Sequence, residues 1–290
     1  DATGASIHCS VLANTLERGF GHTPYGDHFD HLAGMEMLTP DGRFIKTGHG
    51  GCDNAANVGI HKHGIGPVIE GLASQSNFFI VTAIYLQLMP AKKKVWKYFI
   101  KLNSDQAFYD AVEQLRPLKL NGTLSSQMHC GNTHKGIQAV MRYPFKEMDD
   151  QFPISKELVN KIAKDNQLTP WTVSGALYGE SILEILMKYW RLWRSLKGSG
   201  KTLLAVPEGV AVFLKWLFER KLTKAIMPSF QQKMSTQFTL LYELLKLKKG
   251  EPTDFFMKSC YHRKRDISKM TGNPDVDKAG LIWIAPIGPM

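Results

Sequence analysis

The sequence lacks the spacings that mark several common functional sites. Its four cysteines are far apart and form no CxxC pair, so neither a zinc site nor a disulfide framework is indicated. The glycines match neither GxGxxG nor GxxxxGK[ST], which leaves a Rossmann or P-loop nucleotide site unsupported. Ser174 stands in a Val-Ser-Gly context without the GxSxG elbow, and a hydrolase triad therefore gets little support.

Long hydrophobic runs are also missing. The run Phe78–Met89 falls short of the ~20 residues that a membrane-spanning helix needs, and Leu203–Phe218 is interrupted by a proline, a glutamate and a lysine. We therefore expect no membrane span. The chain opens with Asp1 rather than with methionine, so we expect it to begin within a domain. No signal peptide is visible, and we expect a cytoplasmic location.

The chain carries more positive than negative charge. Among its 290 residues, 36 Lys and Arg stand against 26 Asp and Glu, and 43% of the residues are hydrophobic, as in a globular protein. The basic residues are scattered in short runs rather than collected in one tract with interleaved aromatics. This distribution favours a solvated basic surface over a nucleic-acid groove, and we predict no nucleic-acid partner.

Residues 1–90 show the pattern of an α+β fold. Thr39-Pro40-Asp41-Gly42 lies between two short apolar runs, and its Pro and Asp-Gly chemistry predicts a hairpin. Residues 65–77 are predicted as a helix and residues 79–88 as a buried strand. The composition becomes rich in lysine after Ala91, so we place a domain boundary there.

The remainder of the chain predicts a ferredoxin-like antiparallel sheet with helices on one face. Strands are expected at residues 95–102, 125–130, 137–143 and 172–178, with helices at 104–116 and 155–166 between them. Two last strands are expected at residues 255–262 and 280–287.

Further helices are expected as additions to this sheet, the first of them from residue 182. Its apolar stripe predicts core packing in preference to membrane contact. The stripe consists of Ile182, Leu183, Leu186, Tyr189, Trp190 and Trp193.

The segment GHTPYGDHFDH, residues 21–31, crowds two carboxylates and three imidazoles around a Gly and Pro turn. A sharp turn here could present the Asp27 carboxylate to a cavity as an acid or base, whereas an aspartate that merely caps the turn is the simpler reading. His61 and His63 are two residues apart but have no evident third ligand, so we predict no metal site.

A longer stretch around that turn resembles the vanillyl-alcohol oxidase and p-cresol methylhydroxylase family, flavoproteins with a PCMH-type FAD-binding domain. The resemblance is strongest over NTLERGFGHTPYGDH, residues 14–28, and the following GME at 34–36. Supporting blocks are GP at 66–67, EGL at 70–72, QSN at 75–77, IVT at 80–82 and LMP at 88–90. GALYG at 175–179 and GLIWIAPI at 280–287 are similar to strands of the family's substrate-binding cap.

The resemblance implies a division of the chain and a role for Asp27. Residues 1–91 would be the C-terminal half of the FAD-binding domain, and residues 92–290 a substrate-binding cap without its last segment. Asp27 would be catalytic, beside flavin N5, where a carboxylate assists hydride transfer from the benzylic carbon of a 4-substituted phenol or benzylic alcohol.

The resemblance also implies which residues contact FAD, many of them through backbone atoms. These residues are Gly4, Ser6, Asn14, Gly19, Thr23, Tyr25, Gly26, Ile80 and Val81. Many relatives attach FAD covalently through a His or Tyr near the strand that matches residues 280–286, where this chain has neither. We therefore predict non-covalent FAD.

Three functions remain open from the sequence. The first is FAD-dependent oxidation of an aromatic substrate, with O2 or an electron-carrier protein as acceptor and a homodimer as a possible state. The second is a flavin oxidase or dehydrogenase of another alcohol. The third is a fragment that cannot hold FAD alone and serves as an interaction module.

Overall fold

The structure is a computed structural model that describes residues 10–64, 66–196, 201–219 and 228–251, together with residues 253, 269 and 271. The chain divides into two compact units between Ala91 and Lys92. The described residues up to Ala91 are called unit 1 below, and those from Lys92 onward are called unit 2.

Unit 1 combines a short helix with a three-stranded antiparallel sheet. Its elements are α1 (Val11–Leu16), β1 (Leu32–Leu38), β2 (Phe44–Lys46) and β3 (Ile80–Leu86), with sheet order β2-β1-β3. The predicted hairpin joins β1 to β2, and it is closed by a hydrogen bond from the Thr39 backbone N–H to the Arg43 carbonyl at 2.9 Å. The hairpin prediction is therefore confirmed.

The predicted helix at 65–77 is wrong. The described part of this segment holds only a single 3-10 turn, Glu70–Ala73. Gly66 and Gln75 have φ values of +90° and +49°, which lie outside the right-handed helical region. The strand that follows exists as β3, but it is not buried as predicted, because Ile80 is 67% exposed.

The core of unit 1 lies on one face of this sheet. Met35 and Met37 of β1 are fully buried and alternate with residues of the other face, as the period of a strand requires. They pack with Phe29, Leu32 and Ala73 and with half-buried apolar side chains that include Leu16 and Val81.

Unit 2 is built on a four-stranded antiparallel sheet. Its strands are β4 (Lys94–Leu102), β5 (His129–Asn132), β6 (Trp171–Gly179) and β7 (Thr202–Pro207), in the order β5-β6-β4-β7. Its helices are α2 (Asp105–Leu120), α3 (Thr133–Val140), α4 (Lys156–Asp165), α5 (Ile182–Ser195), α6 (Glu208–Glu219) and α7 (Pro228–Lys249).

This strand order is ferredoxin-like, but the elements differ from those predicted. The two interleaved crossovers are β4-α2-β5 and β6-α5-β7, because α2 and α5 both pack on the same core of the sheet. The fourth strand is thus β7, which the sequence did not predict. Helices α3 and α4 form an insertion between β5 and β6, and the expected strands at 255–262 and 280–287 lie outside the described residues.

The strand predicted at 137–143 is wrong, because its first residues lie in α3. The side chain of Asn132 caps this helix by accepting a hydrogen bond from the Lys135 N–H at 3.0 Å. Ile137 then packs against Val159 and Ile162 of α4. Contact with a neighbouring helix, rather than alternation across a sheet, decides the structure of this segment.

Helices cover both faces of the sheet, not one face as predicted. Ile100 and Leu102 of β4 pack against α2 and α5, whereas Val95, on the opposite face, packs against Ala211 of α6 and Leu245 of α7. An odd separation along a strand places side chains on opposite faces. The face under α6 and α7 is called the inner face below.

Apart from Tyr189, the apolar stripe of α5 does not pack against the core, contrary to the prediction. Ile185 and Leu192 are the side chains of this helix that are buried against the sheet. The residues of the stripe lie on other sides of the helix and are exposed, with Trp190 at 52% and Trp193 at 45%, except for the half-buried Tyr189. No described helix is both long and apolar enough to cross a membrane.

Candidate functional site

The turn that carries Asp27 is closed by backbone contacts within unit 1. Helix α1 is capped by Ser10, whose hydroxyl accepts a hydrogen bond from the Ala13 N–H at 3.1 Å. The chain then leaves the helix through Arg18, with φ at +56°. Phe20 and Asp27 form an antiparallel bridge, and the Gly21 N–H donates to the Gly26 carbonyl at 2.7 Å. We call residues 18–31 the Asp27 loop.

The Asp27 carboxylate is held by three donors. Its Oδ2 accepts a hydrogen bond from Arg18 Nη2 at 2.6 Å, and this contact is also an ion pair. Its Oδ1 accepts from the backbone N–H groups of Phe29, at 3.1 Å, and Asp30, at 3.4 Å. The side chain is 14% exposed. Asp27 therefore does cap a turn, and it is at the same time a nearly buried carboxylate with a fixed orientation.

Asn14, Gly19 and His28 form the base of this loop. Asn14 Oδ1 lies 2.6 Å from His28 Nδ1, so the imidazole donates from Nδ1, because the amide oxygen can only accept. A Cβ at position 19 would overlap the Asn14 side chain, so packing against Asn14 requires a glycine here. Burial lowers the pKa of His28, and a neutral ring at neutral pH follows.

Thr23, Tyr25 and Gly26 lie at the tip of the loop. The Thr23 hydroxyl accepts a hydrogen bond from the Tyr25 N–H at 3.2 Å, which tightens the turn, and Thr23 and Gly26 are both buried. The Tyr25 ring stacks on His31 with centroids 3.8 Å apart and planes within 4°. Burial also lowers the pKa of His31. The tip is thus ordered by its own side chains.

Ile80 and Val81 lie at the start of β3, opposite Leu38 and Met37 of β1. Val81 and Leu16 pack against the same apolar cluster. The Ser74 hydroxyl and the Gln75 N–H both donate to the carbonyl of Leu16, at 3.2 and 3.0 Å, and connect the segment before β3 to the end of α1. Gly4 and Ser6 lie outside the described residues, as does the 280–286 segment on which the non-covalent prediction depends.

Two residues of unit 1 were not predicted as site residues, although both lie in motifs that carry the family resemblance. Arg18 is the ion-pair partner of Asp27 and could have been noticed as the basic residue within the NTLERG motif. Glu70 is 1% exposed, and both of its carboxyl oxygens are buried without a hydrogen-bond partner in the part of the chain that the structure describes. A buried acceptor of this kind requires donors, and the hydroxyl groups of a dinucleotide cofactor are suitable donors. The Glu70 carboxyl group thus has the chemistry to accept hydrogen bonds from such a cofactor.

Comparison of the sequence with known proteins finds several relatives of this chain, among them the following two. The 1'-carboxy-chondrochloren decarboxylase of Chondromyces crocatus is 26% identical over 293 residues, covering 99% of this chain and 52% of the relative. The flavoprotein subunit of 4-cresol dehydrogenase [hydroxylating] of Pseudomonas putida is 33% identical over 171 residues, covering 58% of this chain and 32% of the relative. No protein-family model matches the chain.

Comparison of the fold finds many similar solved structures, among them the following two. The 4-ethylphenol oxidase of Gulosibacter chungangensis, in its isoeugenol complex, matches with a TM-score of 0.72 and 23% identity, covering 88% of this chain and 45% of that protein. Substrate-bound p-cresol methylhydroxylase matches with a TM-score of 0.68 and 22% identity, covering 86% of this chain and 43% of that protein.

This chain spans about half the length of these relatives, or less. The α+β fold predicted from the sequence is confirmed over that span, and so is the resemblance read from the Asp27 loop motif. The chain is thus related to the 4-cresol dehydrogenase flavoprotein subunit and shares its fold with 4-ethylphenol oxidase and p-cresol methylhydroxylase, flavoproteins with a PCMH-type FAD-binding domain.

Proposed function

We propose that this chain is part of an FAD-dependent oxidoreductase that oxidises a 4-substituted phenol or a benzylic alcohol. The observation that carries the proposal is the Asp27 loop, in which a nearly buried carboxylate is oriented by a guanidinium and two backbone N–H groups. The names of the 4-cresol dehydrogenase subunit and of 4-ethylphenol oxidase support the substrate class. Within this proposal, residues 1–91 belong to the FAD-binding domain and residues 92–290 to the substrate-binding cap.

The role assigned to Asp27 is electrostatic. When bound, FAD supplies the redox chemistry by accepting a hydride from the benzylic carbon of the substrate. A carboxylate with a fixed orientation stabilises the positive charge that develops on the substrate, and it does so without having to reorganise. Arg18 and the Phe29 N–H prevent rotation of the Asp27 carboxylate, because each binds a different oxygen. The contribution of the protein is thus a carboxylate that is already in position.

We assign the binding of FAD to the base and tip of the Asp27 loop and to the start of β3, without a covalent bond. The residues are those implied by the family resemblance: Gly4, Ser6, Asn14, Gly19, Thr23, Tyr25, Gly26, Ile80 and Val81. The buried carboxyl group of Glu70 is added as an acceptor for hydroxyl groups of the cofactor.

A second candidate is supported by the relative that aligns over nearly the whole chain, whose name describes a decarboxylase of a carboxylated compound. On this reading, the substrate carries a carboxyl group that is lost in the reaction. Turnover of a 4-alkylphenol without release of CO2, and of a carboxylated analogue with its release, separates the two candidates.

The test of the first candidate begins with FAD binding to the purified chain, measured as quenching of flavin fluorescence. Anaerobic addition of 4-ethylphenol should then bleach the flavin absorbance, whereas an aliphatic alcohol should not. The substitution Asp27→Asn should slow this bleaching about 100-fold, because the variant loses the charge but keeps the shape of the side chain.

Asp30→Asn is the matched control, because Asp30 lies three residues away in the same loop with its side chain exposed. It should bleach at nearly the original rate. Equal rates for the Asp27 variant and the original chain would remove Asp27 from the reaction. A chain that leaves FAD fluorescence unchanged would instead favour the interaction-module alternative.

A further inference from the structure

Lys97 is a buried cation in the middle of the unit 2 sheet. It lies on β4 with 1% of its surface exposed. Its Nζ lies 3.4 Å from the Ser174 hydroxyl and 5.2 Å from the centroid of the Phe99 ring. Among the residues that the structure describes, no carboxylate comes within ion-pair distance of it. Burial lowers the pKa of Lys97 to about 7.

Two further lysines make the surroundings of Lys97 electropositive. Lys248 of α7 donates from Nζ to the Gln127 carbonyl at 2.7 Å, and Lys119 of α2 donates to the Ser126 carbonyl at 2.9 Å. Burial lowers the pKa of Lys248, and the positive charges of Lys97 and Lys119 lower it further. Both neighbouring lysines thus have carbonyl partners, whereas Lys97 has, among the described residues, a single neutral hydroxyl at the limit of hydrogen-bond distance.

The register of the sheet shows where the Lys97 ammonium lies. Lys97 stands between Ala176 and Val206 on the inner face, in the part covered by α6 and α7. The next row across this face is formed by His129, Ser174, Phe99 and Leu204, which are directly opposite one another in the register. We call this the Ser174 row.

The Ser174 row is more exposed than the row of Lys97, in which Lys97 and Ala176 are buried. Leu204 is 50% exposed, and the other three residues of the row are half-buried. The ammonium of Lys97 reaches this row, because it contacts Ser174 and lies over the Phe99 ring. A group bound on the row would therefore meet a cation and a hydroxyl at one point, and aromatic and aliphatic surface beside it.

We propose that the Ser174 row binds an aromatic carboxylate, whose carboxylate accepts hydrogen bonds from the Lys97 ammonium and the Ser174 hydroxyl, and whose ring lies against Phe99 and Leu204. An anion supplies the missing partner of the buried cation, and hydrogen bonds between charged groups are the strong ones. The apolar side chains of the row favour an organic acid over inorganic phosphate. The site depends on unit 2 alone and does not require that the chain oxidise phenols.

Binding of a carboxylate beside Lys97 should be accompanied by proton uptake. A carboxylate beside Lys97 favours its charged form, so binding near neutral pH draws protons from the buffer. The other titratable groups of this region are Lys248, Lys119, His129 and Tyr178. Of these, Lys119 and Lys248 carry the same sign of charge and donate to carbonyls.

The experiment is calorimetric titration of the flavin-free chain with benzoate at pH 7 in two buffers with different ionisation enthalpies. We expect saturable binding and a difference in heat between the buffers that corresponds to proton uptake. Lys97→Met should weaken benzoate binding about 10- to 100-fold and reduce the proton uptake. Lys101→Met is the matched control, because Lys101 lies on the same strand and face, and it should bind as the original chain does.

Three results would overturn the proposal. One is the absence of benzoate binding at millimolar concentration. Another is benzyl alcohol or inorganic phosphate binding as tightly as benzoate, because the site would then not select for charge together with a ring. The last is Lys97→Met binding benzoate unchanged. Tryptophan fluorescence reports whether the variant folds, because all six tryptophans lie after residue 91. If it does not fold, Ser174→Ala, with an expected loss of about 3- to 10-fold, takes its place.

Discussion

The side chains of Asp27 in unit 1 and Lys97 in unit 2 are both largely buried, but they differ in their partners. In the described part of the chain, the carboxylate has an ion-pair partner and two backbone donors, whereas the ammonium has one hydroxyl at 3.4 Å. A satisfied charge costs the fold little and stays in one orientation. An unsatisfied one costs stability in the folded state, so it is either a defect or a position that a ligand completes.

Among the substitutions that test the contrast between Asp27 and Lys97, Lys97→Met is expected to change the free energy of unfolding most. The unfolded lysine binds a proton up to its ordinary pKa, but the folded one releases it at about pH 7, so the stability of the original chain should rise with pH between these two values. Methionine fills the same space without charge. We expect it to stabilise unit 2 by on the order of a few kcal/mol at pH 7 and below, with a gain that shrinks towards pH 10.

Urea unfolding followed by tryptophan fluorescence at pH 6, 7, 8 and 9 measures this gain in unit 2. Lys101→Met should show no comparable dependence on pH, since Lys101 is only half-buried. A constant gain across the pH series would show that Lys97 is charged in the folded state at all of them, and the contrast with Asp27 would need another explanation.

A smaller effect is expected from Gly19→Ala, which disturbs the frame that holds Asp27. The added Cβ would displace Asn14 from His28, at a cost of about 1–3 kcal/mol typical of overpacking. Hydrogen exchange of peptides covering residues 10–31 should become faster. The control is Gly71→Ala, where a Cβ would meet nothing within 4 Å, and its exchange should not change.

The smallest effect is expected from Arg18→Gln, which removes the ion-pair partner of Asp27. Because Arg18 is 44% exposed, water replaces much of the lost interaction. We therefore expect the free energy of opening the Asp27 loop to fall by only about 0.5–1 kcal/mol. The measurement is again hydrogen exchange of residues 10–31, compared with Arg43→Gln at the exposed pair with Asp41. A loss of several kcal/mol would mean that the two backbone donors do not hold Asp27 by themselves.

The Asp27 loop could be found in the sequence because its determinants are local. Gly19, Gly21 and Gly26 lie close to the aspartate they position, and the contacts that close the loop join residues 14 to 31. The hairpin at 39–42 is similarly local and was predicted correctly. Arg18 belonged to the same motif, but its pairing with Asp27 depends on a positive φ that the sequence does not reveal.

Lys97 could not be found in this way. In the sequence it stands in a lysine-rich strand, where every second residue is expected to be solvated. Its burial results from α6 and α7, more than 110 residues later in the chain, packing on the inner face. The errors at β7 and at residues 137–143 have the same origin, since short apolar segments become strand or helix according to their neighbours.

The sequence alone determined the α+β character of the chain, its relation to flavoproteins and the turn that presents Asp27, because glycine, proline and capping residues act over a few positions. The tertiary structure decided which segment forms the fourth strand of the sheet, which face of α5 is exposed and that Lys97 is buried. These depend on contacts between residues far apart in the chain, and local sequence patterns do not specify such contacts.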